Sequence, residues 1–167
     1  MTPAERAATV AALRGELETL PAAVQTLPLE RVDASPMADE WSAREVIAHL
    51  ADAEQVYGVR LRMLLTQERP FLAANDQDVW SRRFGRLESL DEALGRWVVL
   101  RWANLAVFES LRDEEWTRPG DHEEGMKVGR VETPESVADV LRRHTRQHAE
   151  QMRAAVRSAD SDGDTRR

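Results

Sequence analysis

Apolar residues recur along most of this chain at spacings of three and four, the period of a helix with one buried face. No stretch alternates apolar and polar positions as a half-buried strand would, so the pattern predicts an all-α protein. The first helix has Thr2 as its N-cap, Pro3 at its first position and Glu5 at its third. Its face runs through Val10, Leu13, Leu17 and Leu20 and is expected to stop at Pro21. Residues 21–40, with Pro21, Pro28 and Pro36, then read as a long connection.

The second start is sharper. In "EWSAREVIAHL", Ser42 and Glu45 form a capping box, with Trp41 and Val46 placed as a hydrophobic staple. This cap fixes the helix phase: Val46, Leu50, Ala53, Tyr57, Leu61 and Leu64 make the buried seam, and His49 lies on its edge. A third long helix opens at Ser89 and Glu92, with Leu90, Leu94, Trp97, Leu105 and Phe108 on its face and Arg101 interrupting it. The segment between the second and third long helices, "PFLAANDQDVWSRRFGR", has short helical promise. Residues 113–132, with Pro119, Gly120, Gly125 and Gly129, read as another long connection. The last helix has Thr133 as N-cap and Pro134 at its first position, and it carries Val137, Val140, Leu141, Met152 and Ala155. It is expected to end near Arg157, leaving residues 158–167 as a mobile tail on a single domain spanning 1–157.

Size and composition narrow the chemistry. At 167 residues the chain can bury one core without staples. It contains no cysteine, so disulfides, thiolate ligands and a cysteine nucleophile are excluded, and any metal site must use nitrogen and oxygen. A formal charge of -7 disfavours nucleic acid as a partner. No apolar run is long enough to span a bilayer, and the N-terminus lacks a secretory pattern, so the expected location is cytoplasmic.

Against this background, "VADVLRRHTRQHAEQM" places His144 and His148 four residues apart, on one face of the last helix and in line with its apolar series. A buried imidazole needs a partner. His49, on the inner edge of another helix, could join them as a third ligand around one ion, a pattern suited to a bundle core. At 1.5 Å per residue, His49 lies about 10 Å past the start of its helix and His148 about 13 Å before the expected end of the last, which favours antiparallel packing of the two. Two plainer readings stand beside the metal site: core histidines satisfied by backbone or carboxylate, and a solvated helix face.

The stretches "EWSAREVIAHLADAE", "WTRPGDHEEG" and "HTRQHAEQ" resemble the DinB-like superfamily, and the resemblance covers the chain up to its tail. That family opens its second helix with Trp-x-x-x-Glu-x-x-x-His-Leu, matched by Trp41, Glu45, His49 and Leu50, and ends with a His-x-x-x-His pair, matched by His144 and His148. The resemblance implies an up-down-down-up four-helix bundle that holds one divalent ion, nickel or zinc first, with manganese or iron as further options. It implies His49, His144 and His148 as the ligands. It also implies a small-molecule substrate, often a homodimer, and thiol S-transferase or isomerase chemistry with a low-molecular-weight thiol such as bacillithiol, mycothiol or glutathione. Many members are named only as metal-dependent hydrolases, and a non-catalytic metal-binding or ligand-binding stress protein is a further expectation. The segment "MKVGRVETPES" is longer than the family's connection, so the loop bordering the site is expected to be rebuilt.

Four residues are candidates for supporting roles. Asp52, three residues after His49, or Glu45, four before it, could orient its imidazole, although exposed carboxylates on a helix flank are more often solubilising charge. Arg101 could meet a substrate carboxylate, although pairing with a buried acid is the more economical expectation. His122, placed in a loop by the pattern, fits the site rim.

Overall fold

The computed structural model describes residues 1–35, 37, 40–124 and 127–164. Pro36, Gly125 and residues 165–167 of the expected connections and tail lie outside them. Four long helices form the frame: α1 (Pro3–Gln25), α2 (Ala43–Thr66), α4 (Leu90–Ser110) and α5 (Pro134–Asp164), with a short α3 (Gln77–Phe84) between α2 and α4. The capping boxes start three of them. Thr2 and Glu5, Ser42 and Glu45, and Ser89 and Glu92 each exchange side-chain and backbone hydrogen bonds, satisfying amide groups that a helix start leaves open. At α5 the Ser136 amide donates to Thr133 Oγ1 at 3.3 Å.

Contacts between named residues give the directions. Near the start of α2, Val46, Ile47 and Leu50 share a cluster with Met152 and Val156 of α5, while Leu61 and Leu64 meet Val137 and Leu141. The two helices are therefore antiparallel, as the histidine spacing predicted. Arg96 reaches Asp52, and Asn104 reaches Glu54, so α2 and α4 run parallel. Arg6 meets Glu135, and Leu20 packs with Met152, so α1 runs with α5. The result is an up-down-down-up four-helix bundle.

Two apolar clusters fill it, one around Leu20, Ile47, Leu50, Trp97 and Met152, the other around Leu13, Leu61, Leu105, Phe108 and Leu141. A buried polar layer separates them. Arg101, 1% exposed, meets Glu54 at 2.6 Å, Glu16 at 2.5 Å and Thr145 Oγ1 at 2.8 Å, and Asn104 donates to Glu54 Oε2 at 2.9 Å. In this layer Gly58 allows α2 and α4 to approach, since a Cβ there would lie 2.5 Å from Asn104 Oδ1.

The structure departs from the periodicity at three places. First, α1 does not stop at Pro21 but continues to Gln25. The proline costs roughly 3 kcal/mol in a helix interior, and the turn beyond it buries Ala23 and Val24, where a fully buried valine alone returns about 1.5–3 kcal/mol. Second, a three-stranded sheet forms where none was expected: β1 (Phe71–Leu72) pairs parallel with β2 (Gly120–Glu124), which pairs antiparallel with β3 (Lys127–Glu132). Its strands are short and carry charged residues on both faces, so they show no alternation. Gly120 lets the sheet rest on α2, because a Cβ there would lie 2.7 Å from Leu64 Cδ2. Third, α5 is helical through Asp164 rather than ending near Arg157. Among the described residues, no helix is long and apolar enough to cross a membrane.

Candidate metal centre

The box that starts α2 sets the position of His49 one turn further in. Glu45 Oε2 accepts from the Ser42 amide at 2.8 Å, and Arg86 holds the other oxygen at 2.9 Å, so Glu45 serves the cap and not the histidine. From this fixed start His49 faces α5, where His144 and His148 sit one turn apart. The structure brings the three imidazoles together: His49 Nε2 lies 3.0 Å from His144 Nε2, and one ring nitrogen from each residue falls within 4.8 Å of the others. Ring centroids are 4.8, 4.7 and 4.4 Å apart.

These rings stay uncharged. Burial, with the neighbouring histidines adding to it, pushes His49 down to about 3. Burial, His148 and Arg101 push His144 down to about 4, and burial lowers His148 as well. Gln151 Oε1 lies 2.7 Å from His148 Nδ1, so a proton carried on Nδ1 would be accepted there and Nε2 would be left with a free lone pair. Trp41 packs its ring 4.6 Å from that of His49 and 5.8 Å from that of His148. It walls one flank of the site, a role beyond the staple expected of it.

Such a donor set fits a first-row divalent ion. Ligand nitrogens about 2.0–2.1 Å from one ion stand about 3.0–3.4 Å from each other, and the His49–His144 pair already has that spacing. At this distance two neutral imidazoles share one proton when no ion is bound, and the same Nε2 lone pairs would serve a cation. Three protein ligands leave a coordination position open.

His49 and His144 open into a cavity of about 190 Å³. Its walls come from α2, from the crossover before α3 and α3 itself, and from the sheet, and include Asp52, Tyr57, Arg60, Trp80, His122 and Arg130. His148 instead borders a separate groove with Trp41, Asp78 and Gln151. Asp52 lines the cavity, but its carboxylate accepts from Arg96 Nη1 at 2.7 Å. His122 also lines it, and it sits on strand β2 rather than in a loop. Arg101 is not among the lining residues; it is enclosed by the acids of the polar layer. The long segment "MKVGRVETPES" contributes β3 and, through Arg130, one wall of the cavity.

Several contributors escaped the sequence reading. Tyr57 and Arg60 stand 8 and 11 residues after His49, a stripe on one helical face that could have been followed outward from the histidine. Gln151 lies three residues after His148, where side chains on a helix meet. Trp80 and Arg130 reach the cavity from distant segments, and no local pattern marks them.

A model describing the DinB superfamily matches residues 12–152. A Bacillus subtilis protein named "Putative metal-dependent hydrolase YfiT" is 27% identical over 124 residues, which cover 67% of this chain and 66% of that one. The match thus spans just under two thirds of that relative's length. A Bacillus licheniformis protein of the same description is 30% identical over 126 residues, covering 68% of this chain and 69% of its own. The solved structure of YfiT, described as having an unusual four-helix bundle topology, superposes with a TM-score of 0.85 at 20% identity, over 96% of this chain and 90% of that one.

Proposed function

The chain belongs to the DinB superfamily, and from that premise we propose that it is a divalent-metal-dependent hydrolase of small molecules, with His49, His144 and His148 as the ligands. The observation that carries this reading is the convergence of three imidazoles from two helices, with two of them, His49 and His144, opening into a cavity. The relatives named as metal-dependent hydrolases support it.

An ion bound there lowers the pKa of an oxygen or sulfur ligand and so provides a nucleophile at neutral pH. The chain's own residues do the rest. Burial keeps His49 and His144 unprotonated, and Gln151 holds His148 in the tautomer that ligates. Trp41 packs against the rings of His49 and His148 and restricts their rotation. His122 stands at the cavity wall, where burial and the nearby Arg60 and Arg130 disfavour its protonated form.

Water is the nucleophile of choice on grounds of size. Pockets for drug-sized ligands run from roughly 300 to 1,000 Å³. At about 190 Å³ this cavity suits a small substrate and water better than a small substrate beside a tripeptide-like thiol. One observation favours thiol S-transfer as a second reading: a groove separate from the cavity borders His148, by which a thiol could reach the cluster apart from the electrophile. The protein has no cysteine, so such a thiol would come from solution.

Elemental analysis of untagged protein tests the first requirement, with about one equivalent of nickel, zinc or another first-row ion expected and its loss in His148→Ala. A metal-free native protein would end both readings. A turnover screen then separates them: ion-dependent cleavage of small esters and amides without added thiol supports hydrolysis, and turnover only with thiol and electrophile together supports transfer.

A further inference from the structure

Opposite the histidines, the cavity is walled by cations that the chemistry above does not use. Arg60 is 5% exposed, an unusual depth for a guanidinium. Its Nη2 donates to the Ala73 carbonyl at 2.7 Å, and its guanidinium lies 5.2 Å from the centre of the Tyr57 ring. Arg130 joins it from β3. One carboxylate serves both: Glu132, 1% exposed, stands 3.8 Å from Arg60 and 3.7 Å from Arg130. These separations are too long for the forked pairing that arginine makes with a committed partner, and Glu132 Oε2 is buried without a hydrogen-bond partner.

Two arginines against one acid leave a net positive charge on this wall. Glu132 stands behind the lining, and Asp52, the acid among the lining residues, is already engaged by Arg96. In a partly enclosed, low-dielectric space such a charge attracts an anion more strongly than it would at an open surface. Between the cations and the histidines the walls are Ala53, Val56 and Trp80, which suit an aromatic ring or a short chain.

We infer that this wall is an anion subsite, at which Arg60 and Arg130 take the carboxylate of a small acid whose reacting group faces the three histidines. The inference rests on the hydrolase reading for the direction in which the substrate lies, and it narrows the substrate class to small, carboxylate-bearing molecules. Arg101 pairs with the buried acids, as the more economical expectation had it, and the cavity is lined instead by Arg60 and Arg130.

Benzoate and its uncharged isostere benzamide are the probes, titrated by calorimetry into the full-length protein, both zinc-loaded and stripped by chelator. Benzoate is expected to bind both forms at least about tenfold more tightly than benzamide, as a charge-assisted hydrogen bond implies. Arg130→Gln should abolish that preference and leave benzamide unchanged. Arg60→Gln should do the same, but Arg60 is buried and that variant risks misfolding, so the exposed Arg130 position carries the test, with a thermal melt as the folding check. Equal binding of the two probes, or no binding of benzoate, overturns the subsite. So does benzoate binding that needs zinc and ignores Arg130→Gln, an outcome that leaves the metal reading intact. Arg130-dependent binding to a protein that takes up no ion does the reverse.

Discussion

Arg101 Nη2 donates to Thr145 Oγ1 at 2.8 Å, and Thr145 is the residue after His144. The same guanidinium holds Glu54 on α2 and Glu16 on α1, so one side chain on α4 grips the other three long helices. This grip fixes the height of α5 against α2, and with it the level at which His144 faces His49.

Replacing Arg101 with Met would leave Glu54, 1% exposed, without its cation. Breaking a buried pair from one side costs about 3–5 kcal/mol. Urea unfolding of Arg101→Met should show a loss of that order, with Arg101→Lys intermediate because it keeps the charge and loses the fork. A change below about 1 kcal/mol would mean that the polar layer does not hold the bundle in register.

Gln151 touches the site only through His148 Nδ1. Removing a partner that fixes a ligating imidazole lowers metal affinity by about 10- to 100-fold. Competition with a chromogenic chelator should show this for Gln151→Ala, while Gln151→Glu, which keeps the acceptor, should retain most of the affinity. Equal affinity in wild type and Gln151→Ala would deny the glutamine its orienting part.

Protons and metal compete for the same nitrogens. A free imidazole with pKa about 6.5 is about thirtyfold less available at pH 5 than at pH 8. His49 and His144, at about 3 and about 4, are already neutral at pH 5 and lose almost nothing. Apparent metal affinity should therefore fall by no more than about thirtyfold over that range. A loss of a thousandfold would show that the rings titrate like free histidine. The metal-free protein gives the complementary test. Below pH 6.5 its unfolded state binds more protons at these positions than the folded state, so stability should decline as pH drops from 6.5 towards 3. Denaturant midpoints of chelator-treated protein report this.

Gly58→Ala places a methyl group 2.5 Å from Asn104 Oδ1, and Asn104 is tied to Glu54 by two hydrogen bonds. Overpacking of this kind costs about 1–3 kcal/mol. Thermal and urea unfolding should place the variant in that range despite the better helix propensity of alanine. A stabilised variant would mean that the amide moves aside freely.

The frame of the protein was legible because its signals are local. Ser42 with Glu45 and Ser89 with Glu92 announce helix starts within four residues, and the apolar stripes follow from their phase. The histidines were legible for the same reason, since a known cap set the face of His49 and a four-residue spacing set that of His144 and His148. What stayed hidden depends on contacts distant in sequence. Pro21 is tolerated because Ala23 and Val24 find a core formed by other helices. The sheet exists because Gly120 can settle against Leu64. Arg130 reaches the cavity from a strand of mixed polarity that no period marks, and Glu54 is buried because Arg101 comes to meet it from α4.

Because α2 and α4 point the same way, the chain must travel back along the bundle between them, and that return strip supplies Trp80 and its neighbours to the cavity. A hairpin-linked bundle has no such surplus length. That strip can change in length and composition while the helices beneath the three histidines keep their spacing. Part of the cavity wall is thus free to change with that strip, while Tyr57 and Arg60 are tied to α2, the helix that also carries His49.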